Sequence, residues 1–353
     1  MTIYTIDPLK DERWLPLLDR HPDASIFHDP RWLKALLLTY GRQSFAFTTC
    51  SPDEPLRNGL VFCEVKSWLT GHRLVSLPFS DHCDLLTESP RHTAELLTHL
   101  GKTVGKTIRY VEIRSLKQPE LPSSQNWSQA EQFCFHALPL DQPQGALFKS
   151  LHKDCIQRKI RRAEKENLEY RCGRSELLLQ QFYSLVLRTR IRHRLPPQPP
   201  EWFSNLVACM GEALTIRAAL KDGRAIAAIL TLSHKNVVTY KYGCSDERFN
   251  NLGGTPFLFW KTIQEAQQIG MLELDLGRSE ISNSGLIAFK DRLGAKKTIS
   301  TYWRCNSGRA SQSRTNFLAD AAKRIGPKIP NAVLRLPGNL LVATGRLLYR
   351  HMD

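Results

Sequence analysis

The residue best suited to chemistry lies in the segment Phe289-Lys-Asp-Arg-Leu-Gly294. Its Lys290 carries a positive charge, and a cation aimed at an oxygen stabilises negative charge that develops there during a reaction. The alternative is a surface lysine that forms an ion pair with Asp291 or Glu280. The residue types alone leave both interpretations open.

A second candidate group lies at the end of a predicted strand, Leu272–Leu276, in the run Asp275-Leu-Gly-Arg-Ser279. Strand ends in open α/β sheets commonly carry substrate contacts. Arg278, beside Ser279, could bind a phosphate or a carboxylate through two parallel hydrogen bonds. Its alternative role is an ion pair with a nearby carboxylate.

Small and aromatic residues form a third group. Tyr242 and Ser245 lie at the end of another predicted strand, and Gly253 and Gly254 precede a predicted helix. Glycines at such a place let backbone N–H groups approach a phosphate. The alternative for the glycines is a tight turn that requires a positive φ.

A long predicted helix, Gln144–Glu166, is strongly basic in its second half. Lys153 and Arg158 are the first two of six cations there. Such a helix could contact the phosphates of a transfer RNA or of a nucleotide-linked precursor. A solvated helix face explains the same charges.

The first half of the chain offers weaker candidates. Asp81 and His82 follow a broken strand and could act as a general base, although turn chemistry is the commoner role. His82-Cys83 lacks the spacing of a metal site, so we predict no metal. Trp32 is most simply a core residue.

Three segments together resemble the FemAB family, whose members act on peptidoglycan precursors or related acceptors. They are Lys149–Lys165, Tyr240–Trp260 and Asp275–Gly294. The likeness covers most of residues 32–304. The resemblance is strongest to the exosortase-associated (PEP-CTERM) FemAB branch, which is found beside exopolysaccharide genes.

The resemblance implies roles for these residues. Lys290 matches the lysine that stabilises the oxyanion of acyl transfer, and Trp32 matches a family position. The loop with Asp81 and His82 matches the acceptor-facing region. The resemblance also implies no tightly bound cofactor, with aminoacyl-tRNA or acyl-CoA as the donor. The loop before Gly254 lacks the first basic residue of the coenzyme A pattern, which argues against acetyl-CoA.

The order of elements predicts an α/β (α+β) fold. In the second half, three close strands precede a glycine-containing loop, a helix and a further strand, and the first half repeats this order. It is the order of a GNAT (acyl-CoA N-acyltransferase) domain. The 353 residues suit two domains. We therefore predict tandem GNAT-like domains over residues 1–140 and 141–305.

The remaining residues, 306–353, form a basic and amphipathic predicted helical tail. Together with the net charge of +15, the tail suits an anionic membrane surface, or it packs back on the first domain. We predict no signal peptide and no membrane-spanning helix. The expected location is the cytoplasm, with peripheral contact at the inner membrane face as an open alternative.

These expectations describe a transferase that moves an aminoacyl or acyl group onto an amine. The acceptor would be a peptidoglycan precursor or an exopolysaccharide-related molecule, and the partners a nucleotide- or lipid-linked envelope precursor and transfer RNA. One alternative is an acyl-CoA-dependent N-acyltransferase of polysaccharide biosynthesis. Another is a non-catalytic binding protein of envelope assembly.

Overall fold

The computed structural model describes residues 2–67, 71–105, 107–123 and 125–306. The predicted tail lies outside these residues, apart from Asn306. Within the described part, no helix combines the length and the apolar character needed to cross a membrane. All nine cysteines fall in this part and are free thiols.

The described residues form two compact units, one of residues 2–133 with 299–306 and one of residues 134–298. The first half of the chain contains β1 (Tyr4–Ile6), α1 (Trp14–Arg20), α2 (Pro30–Tyr40), β2 (Ser44–Thr48), β3 (Asn58–Ser67), β4 (Gly71–Val75), β5 (Leu86–Thr87), α3 (Pro90–Thr103) and β6 (Tyr110–Ile113). The second half contains β7 (Trp127–Pro139), α4 (Gln144–Ser150), α5 (Arg158–Lys165), β8 (Glu169–Gly173), α6 (Glu176–His193), α7 (Pro200–Met210), β9 (Leu214–Lys221), β10 (Arg224–His234), β11 (Val237–Ser245), α8 (Gly254–Gln268), β12 (Glu273–Glu280), α9 (Ser284–Arg292) and β13 (Lys296–Asn306).

In the first unit, β1 to β4 pair in sequence order and antiparallel. Helix α3 then returns the chain so that β6 pairs parallel with β4. The predicted helix α2 is confirmed: Asp29 accepts a hydrogen bond from the N–H of Arg31, and Gly41 ends the helix at φ +67°. The core of the unit packs Phe47, Phe62 and Leu96 together.

The second unit repeats this order. Strands β9 to β11 form an antiparallel meander, and β8, which precedes α6 and α7, pairs antiparallel with β9. Helix α8 then leads to β12, which pairs parallel with β11, and β7 is the neighbour of β12 on its other side. Leu258 and Ile263 of α8 pack with Leu274 and Leu276 of β12 in the core. Because alternate residues of a strand point to one face, these two leucines attach β12 to α8.

The mixed α/β architecture is thus as predicted, with a GNAT-like element order in each unit. One local prediction is wrong, and one strand was missed. The long helix Gln144–Glu166 is broken at Leu151, which has an extended backbone, and Nδ1 of the next residue, His152, accepts a hydrogen bond from the N–H of Cys155. The chain continues as a π-helical turn, Lys153–Gln157, and then as α5. Strand β7 was not predicted, because its first residues are polar.

Gly253 has a packing role that a substitution can test. Its φ is +80°, and a Cβ atom there would clash with the main-chain carbonyl of Lys159. Gly270 has a similar φ of +74° and open space around it. We expect Gly270→Ala to lower the free energy of unfolding by about 1 kcal/mol and Gly253→Ala by about 3 kcal/mol, measured by urea denaturation. Equal losses would contradict the close contact between the loop and α5.

Candidate functional site

The candidate site is built around Lys290, where α9 meets the end of β12. The Lys290 side chain is buried, and its Nζ donates hydrogen bonds to the carbonyl oxygens of Gly277 (2.9 Å) and Arg278 (3.1 Å). An ammonium group loses its hydration on burial, so such acceptors are needed to compensate it. The surface-lysine interpretation of Lys290 is therefore wrong.

Strand β12 is irregular where its two carbonyls hold Lys290. In a regular strand, consecutive carbonyls point to opposite sides. Gly277, the first of the two residues, has φ +68° within β12, which bends the strand at this point. Its N–H donates to Oδ1 of Asp275 at 2.6 Å, which holds the bend. The sequence predicted that the strand ends here, but glycine bends the strand without ending it, and β12 continues to Glu280.

The strands β11 and β12 separate next to this site. Their parallel pairing ends at Thr239 and Asp275, and both strands lie wholly within the described residues. Beyond that pair, β11 continues to Ser245 and β12 to Glu280. The carbonyl groups that hold Lys290 belong to the separated part of β12.

His136 on β7 belongs to this site, although the sequence analysis did not find it. Its ring is fully buried, and Nε2 lies 3.1 Å from Oδ1 of Asp291, the residue after Lys290. Burial lowers the pKa of His136; the hydrogen bond with Asp291 opposes this shift, whereas the charges of Lys290 and Lys297 add to it. His136 is therefore neutral at pH 7.

The other candidates on β11 and β12 differ in what their side chains contact. Arg278 is half-buried, and Ser279 is buried. Among the described residues, Oγ of Ser279 has no hydrogen-bond partner. The hydroxyl of Tyr242 accepts a hydrogen bond from Nε1 of Trp202 at 2.8 Å. Ser245 is held through its main chain by residues of α6. Ser279 thus presents a buried polar atom, whereas the Tyr242 hydroxyl already has a structural contact.

The loop between β11 and α8 is anchored at its start by Asp246. This buried carboxylate accepts hydrogen bonds from Arg248 and Arg224, and Arg188 lies 3.8 Å away. At the other end of the loop, Gly254 is buried against small side chains of the sheet. The glycines of the loop therefore have structural roles beside any role in binding a ligand.

The candidates of the first half lie in the first unit. His82 is buried, with Nδ1 3.6 Å from Oδ2 of Asp84, and the carbonyl of Asp81 accepts a hydrogen bond from a tyrosine hydroxyl. Burial raises the pKa of Asp84, but the nearby His82 ring and hydrogen bonds from Ser115 and from the N–H of Lys117 outweigh it, so the pKa is lowered. Trp32 is fully buried and packs edge-on against Phe27, 5.1 Å between ring centroids. Its core role is as predicted.

The basic candidates of the second unit are exposed. Lys153 begins the π-helical turn and Arg158 begins α5, with both side chains in solvent. Within the described residues, no group of three or more His, Cys, Asp or Glu side chains is placed to hold a metal ion. The cations therefore lie on the surface. They are near the loop of Gly253, where an added Cβ atom would clash with the Lys159 carbonyl.

Comparison with known families supports this architecture. Residues 152–290 match the family model of the acetyltransferase (GNAT) domain. This range includes the loop before α8, the separated end of β12 and Lys290. The chain is therefore an enzyme of the acyltransferase or aminoacyltransferase class, as predicted. A search of curated protein sequences finds no match.

Solved structures show the same fold over nearly the whole chain. The FemX crystal structure matches with a TM-score of 0.67 at 12% identity, over 92% of this chain and 100% of that chain. L-PGS from Bacillus licheniformis matches with a TM-score of 0.55 at 12% identity, over 92% and 98%. A tandem GNAT protein from the clavulanic acid biosynthesis pathway matches with a TM-score of 0.52 at 10% identity, over 88% and 100%. At these identities the likeness shows the fold.

The anchoring role of Asp246 can be tested through pH. The hydrogen bond from Arg248 lowers the pKa of Asp246 to about 2, against a smaller opposing effect of burial. A lowered pKa stabilises the fold above about pH 4, and this stabilisation is lost as the pH falls to about 2. We expect Asp246→Asn to lower the free energy of unfolding by about 1 kcal/mol at pH 7 and by less at pH 3. Glu247→Gln, at the exposed neighbour, should change little. A loss that is independent of pH would contradict the ion-pair cluster.

Proposed function

We propose that this chain transfers an aminoacyl or acyl group to an amine and that Lys290 stabilises the oxyanion of the transfer. The observation that carries the proposal is the buried Lys290 ammonium, fixed by two main-chain carbonyls where β12 leaves β11. A fixed cation stabilises developing charge more than a mobile one, because it needs no reorganisation during the reaction.

The proposed step conserves atoms and charge. The amine nitrogen of the acceptor attacks the carbonyl carbon of the donor, and the carbonyl oxygen becomes an oxyanion beside Lys290. When the oxyanion collapses, the bond from carbon to the leaving oxygen or sulfur breaks. The attacking nitrogen loses a proton, and the leaving group gains one. Arg278 and Ser279 lie next to this point and are proposed to contact the substrates.

For the acceptor, we propose an amine on a peptidoglycan precursor or an exopolysaccharide-related molecule that is nucleotide- or lipid-linked. The three FemAB-like segments support this choice, and the fold of FemX is consistent with it. The same segments support our proposal that the chain is related to the exosortase-associated branch. In the first unit, Asp81 and His82 are the proposed acceptor-facing residues, and Trp32 supports them from the core.

For the donor, we propose aminoacyl-tRNA, with acyl-CoA as the alternative. The exposed cations that begin with Lys153 and Arg158 support a polyanionic donor. The GNAT domain match supports acyl-CoA. The loop with Gly253 and Gly254, flanked by Tyr242 and Ser245, is the proposed place for the donor phosphates in either case.

The expected location in the cytoplasm, with a peripheral contact at an anionic membrane through the tail, stays a prediction. The non-catalytic binding protein also stays open as an alternative. The ligands that the protein binds can separate the binding protein from the transferase.

We expect one of the proposed donors or acceptors to stabilise the purified protein against heat. Thermal unfolding should be followed with coenzyme A, acetyl-CoA, aminoacyl-tRNA and a nucleotide-linked peptidoglycan precursor in turn. A ligand at 100 times its dissociation constant adds about 2.7 kcal/mol of stability. The shift should be reduced in Arg278→Ala and retained in Arg171→Ala, which removes an exposed arginine on β8.

The pattern of shifts decides between the alternatives. A shift with the precursor or with the RNA supports the FemAB-like transferase. A shift with coenzyme A alone supports the acyl-CoA-dependent N-acyltransferase. The absence of any shift across the panel would contradict the proposed substrates and favour the binding protein.

A further inference from the structure

The one fully buried residue of helix α9 is polar. This residue is Lys290, whereas Phe289 is half-buried and packs against Phe259 at 5.5 Å between ring centroids. The apolar residues from Leu286 to Phe289 are only half-buried, so they gain less from the hydrophobic effect than fully buried side chains would. The position of Lys290 therefore depends also on specific hydrogen bonds.

Two adjacent residues of α9 reach two adjacent strands. Lys290 donates to carbonyls of β12, and Asp291 contacts His136 on β7 at 3.1 Å. Neighbouring residues on a helix point about 100° apart around its axis. Two contacts in these two directions fix the rotation of the helix about its axis, which neither contact fixes alone.

We propose that His136 and Asp291 form a positioning pair that sets the rotation of α9 and thereby holds the Lys290 ammonium at the end of β12. The role is distinct from that of Lys290, since His136 acts through Asp291. The proposal deepens the proposed function, because it matters for transfer only if Lys290 stabilises the oxyanion.

The hydrogen bond defines the protonation state of His136. A carboxylate can only accept, so Nε2 of His136 carries the proton in this contact. The groups that face the ring are Asp291 and Lys290 from α9 and Lys297 from β13. Burial and the two lysines disfavour a second proton on the ring, so Nδ1 is unprotonated at pH 7. None of the described residues donates to Nδ1.

This arrangement explains why a histidine is used at this position. A lysine or arginine would add a full charge beside Lys290 and Lys297, whereas neutral histidine offers an N–H donor without adding charge. A leucine of similar volume would fill the space and donate nothing.

The test measures how well the Lys290 amine is protected from a reagent. Limited labelling with acetic anhydride, followed by peptide mass spectrometry, gives the reaction rate of each lysine. In the wild type, Lys290 should react slowly and the exposed Lys296 quickly. His136→Leu should raise the Lys290 rate about tenfold, the effect of losing one hydrogen bond to a charged group. His136→Gln keeps an N–H donor and should restore much of the protection.

Asp291→Ala provides a second variant with little risk to folding, because this side chain is 42% exposed. It should raise the Lys290 rate as His136→Leu does, and the double variant should add little to either. Lys297→Gln is the matched control, since it removes the other ion-pair partner of Asp291, 3.7 Å away, and leaves the His136 contact.

Unchanged Lys290 labelling in Asp291→Ala, or an equal rise in Lys297→Gln, would overturn the proposal.

A pH series gives a further check. The pKa of His136 is lowered in the folded protein, so its stabilising effect is complete above about pH 6.5 and declines as the pH falls. The stability of the wild type relative to His136→Gln should fall between pH 7 and pH 5, and the fall should be larger when Asp291 is replaced by alanine, because the Asp291 contact opposes the lowering of the His136 pKa. A purely steric role of His136 would leave the fall unchanged by that replacement. The labelling needs no substrate, so its failure is distinguishable from a failure of the proposed transfer reaction.

Discussion

An ammonium group that is removed from water needs hydrogen-bond acceptors, and this requirement determines the structure around Lys290. The acceptors are two consecutive carbonyls, Gly277 and Arg278, which a regular strand directs to opposite sides. Strand β12 is irregular here, because Gly277 has a positive φ and the pairing between β11 and β12 has already ended. The buried lysine thus lies beside a bend and a separation in the sheet, at the site where we place the chemistry.

Much of the fold could be predicted because its signals are local. Helix α2 has a capping aspartate, a proline in its first turn and a terminal glycine, and its predicted bounds are those observed. The meander of β9 to β11 has turn residues between apolar runs. The prediction of one long basic helix was wrong for the opposite reason, because the break at Leu151 and His152 involves contacts that no local pattern encodes. One of these is the hydrogen bond from the N–H of His152 to the carbonyl of Arg292.

The candidate site also has a part that local sequence signals could predict and a part that they could not. Lys290 could be proposed from the residues around it, but its burial and its two carbonyl partners could not. His136 was missed because β7 begins with polar residues and was not predicted as a strand. The contact of His136 with Asp291 spans 155 residues of sequence. Such a pair follows from the tertiary fold, and a single sequence carries no signal for it.

The central claim is that the Lys290 charge acts in the transfer step rather than in binding or folding. The most direct measurement is the single-turnover rate of transfer from a bound donor to the acceptor amine in Lys290→Met, which keeps the length of the side chain and removes its charge. Our account predicts a rate lower by about 10²–10³, with the dissociation constant of the donor unchanged. A folded Lys290→Met protein that transfers at the wild-type rate would contradict it.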